Sequence, residues 1–230
     1  MSSRSKFSGR KKRYIITAII AAIAISIALY NAAQNYPYKN SKTWNFDSYQ
    51  ENSLPDEFVS LQIGSGRGTW IVKSDESAPS KPNVLAKLSS NNTESSYHMQ
   101  IMPDVESTSD VKSSVQFKII SGEKERAAGL VFRFQDPNHY FVLAADAINN
   151  RFSLCRTEPE RIVCTQDKNA NVTTDQWHTI MAQVSAQGIA GYLDGKLLIQ
   201  RYDQHYMSGK VGLWTKGDSK AYFDDLKMEY

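Results

Sequence analysis

The stretch ERAAGLVFRFQDPNHYFVLAADAINNRFSLCR, Glu125 to Arg156, decides the fold. Leu130, Phe132 and Phe134 alternate with Val131, Arg133 and Gln135. Phe141 and Leu143 alternate with Tyr140 and Val142, and Phe152 and Leu154 with Arg151, Ser153 and Cys155. A side-chain period of two is that of a β-strand, so the stretch predicts three strands in succession with turns between them.

The same signals extend outward in both directions. Thr69 to Lys73 (TWIVK) and Val84 to Leu88 (VLAKL) read as short strands, and Val115, Phe117 and Ile119 alternate with polar partners. Gly191 to Leu198 (GYLDGKLL) is a hairpin whose Asp194-Gly195 supplies the two positive-φ positions of a type I′ turn. Strands recur every roughly 8 to 15 residues without helical crossovers, which predicts an antiparallel sandwich rather than a parallel sheet. Ser89 to Ser96 and Pro103 to Asp110 are loops between strands. In the closing GKVGLWTKGDSKAYFDDLKMEY, Val211 and Leu213 alternate into a strand, Lys216 to Ser219 make a turn, and Tyr222, Phe223 and Leu226 pin the last strand. That segment is expected to fasten the fold, with Trp214 and Lys216 its two ligand candidates. The chain has 230 residues and no internal repeat, and one domain from about 43 to 230 fits it.

Cys155 and Cys164 lie symmetrically about Glu158-Pro159-Glu160-Arg161. Two strands folded about that turn bring them opposite each other, which suits a disulfide in an oxidising compartment; the alternative is two free thiols on one sheet face. The sequons Asn91-Asn92-Thr93 and Asn171-Val172-Thr173 are glycan acceptor motifs.

The N-terminus carries the charge. Arg4, Lys6, Arg10, Lys11, Lys12 and Arg13 precede the first apolar run; the whole chain is +3, so the rest is −3. The basic balance is therefore a targeting feature, and no nucleic-acid partner is expected. Residues 14–33 then form an uncharged run, YIITAIIAAIAISIALYNAA, without Pro or Gly. At about 1.5 Å per helical residue it spans a bilayer core of roughly 30 Å. The expected order is a cytoplasmic tail (1–13), one N-terminal transmembrane helix as signal anchor (14–33), a linker (34–42) and the domain outside the cell membrane. The alternative is a cleaved signal and a secreted domain.

The ordered set WNFD, Gly68-Thr69-Trp70, AGLVFR, DPNHYF, QWH, YLDGK and GKVGLWT…FDDL resembles the concanavalin A-like lectin/glucanase superfamily. Within it the likeness is to laminin G-like and 3-keto-disaccharide-hydrolase-like domains of exported microbial proteins. The resemblance covers roughly Trp44 to Tyr230 and implies an all-β jelly-roll of two curved antiparallel sheets, with a concave face on which relatives bind sugar. If the Leu/Phe set faces the core, alternation sends Arg133, Tyr140, Asp146 and Arg151 to the opposite, solvent-side face, where aromatic rings and charged donors suit a polyhydroxyl ligand. The competing reading is a solvated sheet face with cross-strand pairs. No cofactor is expected; a structural calcium near the chain ends, as in other jelly-rolls, with Asp47, Asp224 and Asp225 as oxygen ligands, is the alternative to a reading in which Asp224-Asp225 order the loop before the last strand.

Chemistry is thinly represented. Glycoside hydrolysis normally needs two carboxylates about 5 to 9 Å apart, and the superfamily's Glu-x-Asp-x-x-Glu strand is absent. His98, His139, His178 and His205 are scattered without metal-ligand spacing, and His178 reads as structural. Gly64 to Gly68 precedes a strand and is a turn, not a phosphate loop. The expected function is a membrane-tethered jelly-roll that binds glycan or another cell-envelope ligand without catalysis. The alternatives are a glycoside or keto-sugar hydrolase and a protein-binding adhesion module.

Overall fold

The computed structural model describes Tyr14 and residues 38–88, 96–102, 109–158 and 161–230. The basic tail, the apolar run beyond Tyr14, the sequon at Asn91 and the Pro159-Glu160 turn lie outside the described residues. Among the described residues no helix is long and apolar enough to cross a membrane.

The strands are β1 Ser41–Trp44, β2 Val59–Ile63, β3 Trp70–Ser74, β4 Asn83–Lys87, β5 Tyr97–Ile101, β6 Val111–Ser121, β7 Ala127–Asp136 and β8 His139–Asp146. They continue with β9 Arg151–Glu158, β10 Arg161–Asn169, β11 His178–Ser185, β12 Gly188–Leu193, β13 Lys196–Arg201, β14 Lys210–Lys216 and β15 Lys220–Glu229. One sheet has eight strands in the order β13-β12-β11-β6-β15-β4-β3, with β1 also on β15; the other has seven, β10-β9-β8-β7-β14-β5-β2. These strands all pair antiparallel. The all-β, two-sheet expectation holds.

Alternation decides which residues meet between the sheets. From β6 come Val111, Val115, Phe117 and Ile119; from β7 to β9 come Leu130, Phe132, Phe141, Leu143, Phe152 and Leu154; all are fully buried in one core. Phe132 and Phe141 are direct cross-strand partners with stacked rings 5.5 Å apart. Such a pair contributes about 0.5–1.5 kcal/mol beyond its buried area. The Asp194-Gly195 turn has φ of 49° and 74°, as a two-residue I′ hairpin requires. Cys155 and Cys164 are Cα partners and are disulfide-bonded.

Two features depart from the sequence reading. Ser41 and Lys42, placed in the linker, belong to β1, and Lys39 and Asn40 donate backbone hydrogen bonds to the Tyr230 carbonyl at 3.1 and 2.9 Å. Backbone pairing with the last strand orders these polar residues, which hydropathy alternation does not register; the compact unit runs from Lys39 to Tyr230. The second departure concerns the seven-stranded sheet, which is apolar on both faces. Met99, Ile101, Ala127, Val131, Phe134, Tyr140, Val142, Ala144, Cys155 and Trp214 form a second buried cluster on its outer side.

Candidate functional site

Register places five of the six ligand candidates on that outer face of the seven-stranded sheet. Tyr140 lies beside Val142 along β8, while Asp146 and Arg151 are direct partners across β8 and β9. Trp214 pairs with Gly129 and Met99, and Lys216 with Tyr97. Being on one face does not make them available to a ligand.

Tyr140 and Trp214 are buried, at 0% and 3% exposure. Gly129 has no side chain where the Trp214 indole lies, and Tyr97 stacks on that indole at 5.5 Å. Burial raises the Tyr140 pKa, while the nearby Trp214 N–H lowers it; neither polar atom reaches hydrogen-bond geometry with a partner. Both residues pack, and the correction follows from their neighbours: Val131, Val142 and Ala144 share their face, so the face is apolar. Lys216 is paired with Glu125 at 2.6 Å. Asp146 is spent on the β8–β9 turn, accepting from the Ile148 and Asn149 N–H groups at 2.8 and 3.1 Å and from the Asn149 amide at 2.7 Å.

Arg133 is not on this face. The register shift after Phe132 and a φ of 49° make a bulge that re-aims the side chain. Its guanidinium donates to the Ser185 carbonyl at 3.0 Å and the Asp203 carbonyl at 3.3 Å, and only 1% of the residue is exposed. Burial lowers its pKa, opposed by Asp110 and Asp203.

Arg151 alone of the six is exposed with its charge unspent among the described residues. It pairs in register with Asn169 at the end of β10. Beside it lies a shallow, open cleft of about 580 Å³ lined by Asn149, Asn150, Asn169, Ala170 and Asn171. The β8–β9 turn and the β10 tail are stitched together: Ala170 N donates to the Asn150 carbonyl at 2.9 Å and Val172 N to the Asn150 side-chain oxygen at 3.4 Å. Asn150 takes the left-handed φ of 51° that Asn tolerates better than most residues. Asn169 and Asn171 are exposed, and their amides carry donors and acceptors that no described hydrogen bond uses. Sequence reasoning missed this amide set, although INN (148–150) and NAN (169–171) were there as doubled Asn signals.

Of the three calcium candidates, Asp47 and Asp224 meet at Ser80 with their oxygens spent on hydrogen bonds, while the Asp225 side chain turns away. Asp224 accepts from Ser80 N at 2.8 Å, and Asp47 from the Ser80 hydroxyl at 3.0 Å and Asn83 N at 3.1 Å. Asp225 turns to the Gln116 amide at 2.9 Å. Among the described residues no group of three or more His, Cys, Asp or Glu side chains is placed to hold a metal. His178 is structural as expected: its Nε2 accepts from Thr173 N at 3.1 Å, which puts the proton on Nδ1, hydrogen-bonded to Asp194 at 2.8 Å. With Nε2 occupied, this His–Asp pair has no base to offer a substrate.

No family model and no curated protein matches the chain. Solved structures do. The carbohydrate-binding module CBM66 from Bacillus subtilis superposes with a TM-score of 0.59 at 16% identity, over 76% of this chain and 98% of its own. The cellulose-induced protein Cip1 gives 0.57 at 13% identity, over 83% and 96%. Domain 4 of AbnA, a GH43 extracellular arabinanase from Geobacillus stearothermophilus in complex with arabinotriose, gives 0.51 at 14% identity, over 83% and 93%. Identities this low carry the fold and nothing finer: residues 39–230 share the two-sheet antiparallel sandwich of these structures.

Proposed function

We propose that this protein binds carbohydrate without catalysis, at the amide-lined cleft beside Arg151. The observation that carries the reading is the lining itself: four Asn side chains and no carboxylate. Amides and a guanidinium supply donors and acceptors for hydroxyl groups without chemistry on the glycosidic bond, which needs a carboxylic acid and a carboxylate flanking it. A binding module and an arabinanase domain solved with arabinotriose among the fold neighbours support the same reading. The basic stretch followed by the apolar run of residues 14–33 supports a membrane tether, with the sandwich on the far side of the bilayer; retention in the membrane pellet after carbonate extraction tests that part.

The binding test is a glycan array followed by calorimetry on residues 39–230, a fragment that keeps β1. Binding to at least one saccharide is expected, abolished or sharply weakened in Arg151→Ala with Asn169→Ala. Silence across the array, or unchanged affinity in that double variant, overturns the reading. Release of reducing sugar from a bound ligand would return the hydrolase alternative.

A further inference from the structure

We propose that β2 is a dimerisation edge, and that a second copy of this chain adds its own β2 to it. Every sheet has two edge strands whose outward N–H and C=O groups invite another chain, and proteins guard them with charge, bulges or covering segments. In this fold the other edges are guarded. On β3, Val72 donates its N–H to the Ser53 carbonyl at 2.7 Å and accepts Asn52 N at 2.9 Å. On β10 stand Arg161, Asp167 and Lys168, a bulge between Cys164 and Gln166, and the disulfide. On β13 stand Lys196 and Arg201, and the Gln200 carbonyl accepts the Gln166 amide at 3.2 Å. The short β1 carries Lys42.

β2 has none of these. Its sequence VSLQI holds no charge, no Pro and no bulge, and pairs with β5 in unbroken register from Val59 to Ile63. Among the described residues no backbone hydrogen bond lies on its outer side. Val59 is 44% exposed, while Leu61 and Ile63 pack against the second apolar cluster.

The five residues are also complementary to themselves. Antiparallel pairing about a twofold axis through Leu61 sets Val59 against the partner's Ile63, Leu61 against the partner's Leu61, and Ser60 against the partner's Gln62. Apolar residues meet apolar on the side of the second cluster, and polar meet polar on the other. A one-residue slip would mix the two classes, and a two-residue slip keeps like against like but leaves two of the five residues unpaired, so full pairing selects the register centred on Leu61. The contact is isologous, as a closed dimer requires, and it joins two seven-stranded sheets into one.

The test uses the full chain in detergent micelles. The native cysteines are disulfide-bonded, so an added cysteine reports contact. Leu61→Cys sits on the axis, where directly opposite Cβ atoms are about 4.5–5.5 Å apart; it should give a disulfide-linked dimer on mild oxidation. Val59→Cys lies four registers from its own copy, roughly 14 Å at about 3.4 Å per residue, and should not. Sedimentation velocity should show a concentration-dependent dimer that Val59→Lys abolishes with unchanged circular dichroism. A monomer at every concentration, equal cross-linking at 59 and 61, or a dimer that survives Val59→Lys overturns the proposal.

Discussion

Asp224 and Asp47 bring their carboxylates to one residue, Ser80: Asp224 takes its N–H at 2.8 Å and Asp47 its hydroxyl at 3.0 Å. The three come from the last strand, the loop before β4 and the segment after β1, so this contact ties both ends of the domain together. It also places a fully buried carboxyl beside two others. Burial raises the Asp224 pKa to about 7; the Ser80 and Asp225 N–H groups oppose that, and Asp225 and Asp47 add to it.

The raised pKa fixes the sign of the pH effect. A carboxyl whose folded pKa is raised contributes stability that is complete below its unfolded value of 3.8 and is lost as pH rises through about 7. Above that pH the native state must carry a buried charge. Asp224→Asn removes the ionisation and keeps an acceptor for Ser80 N. In chelator-containing buffer its Tm should exceed that of the wild type by a few degrees at pH 8 and match it near pH 4, on a scale of about 2–4 °C per kcal/mol. A lower Tm for the variant at pH 8 would sink this account.

Gly129 is where the backbone gives way to an aromatic ring. A Cβ there would stand 2.7 Å from the Leu143 carbonyl oxygen and 3.1 Å from Trp214. The first atom is backbone and cannot move cheaply. Gly129→Ala is expected to cost about 1–3 kcal/mol, the usual range for overpacking. Thermal unfolding should show the loss and tryptophan fluorescence a shift; an unaltered melting curve would mean that the sheet has slack at this position.

The fold was legible because its signals are local. Period two along 130–154 and the Asp194-Gly195 turn each depend on a few adjacent residues, and the structure returns them, except that the bulge at Arg133 moves Phe134 from the core face to the outer cluster. The site was less legible, because alternation tells which face a residue takes and not whether that face is wet. Tyr140 takes the predicted face and is buried on it, as is the ligand candidate Trp214 beside it. The warning lay in Val131, Val142 and Ala144, which make the central strands apolar on both sides. Arg133 could not have been placed from sequence, since nothing local announces the bulge at its position. The Asn cleft needs residues about twenty apart to meet at the β8–β9 turn and the end of β10, a relation that only the register supplies.

The Cys155–Cys164 bridge closes a short loop between β9 and the edge strand β10. Cross-linking a loop of about ten residues removes unfolded-state entropy worth about 2–3 kcal/mol. Replacing both cysteines by Ala should lower Tm accordingly. It should also raise hydrogen exchange along Arg161–Asn169 before other strands respond, because β10 has a neighbour on one side only. Exchange that rises uniformly over the domain would show that the bridge acts on global stability and not on this edge.

Arg151 and Trp214 separate binding from packing on the same face. Arg151 is exposed, so Arg151→Ala should leave stability within about 0.5 kcal/mol of the wild type, as surface substitutions do. Hydrogen bonds to a charged group contribute about 1.5–3 kcal/mol, so its saccharide affinity should fall by about tenfold or more. Asn169→Ala and Asn171→Ala remove neutral hydrogen bonds of about 0.5–1.5 kcal/mol and should each weaken binding a few-fold. Trp214→Ala should instead cost about 3–5 kcal/mol of stability, the range for a buried aromatic, and lose affinity only as the fold is lost. Calorimetry and thermal unfolding on the same four variants distinguish the two patterns. If Trp214→Ala kept its Tm and lost binding while Arg151→Ala did nothing, the ligand would lie on the apolar centre of the sheet and not at its amide-lined end.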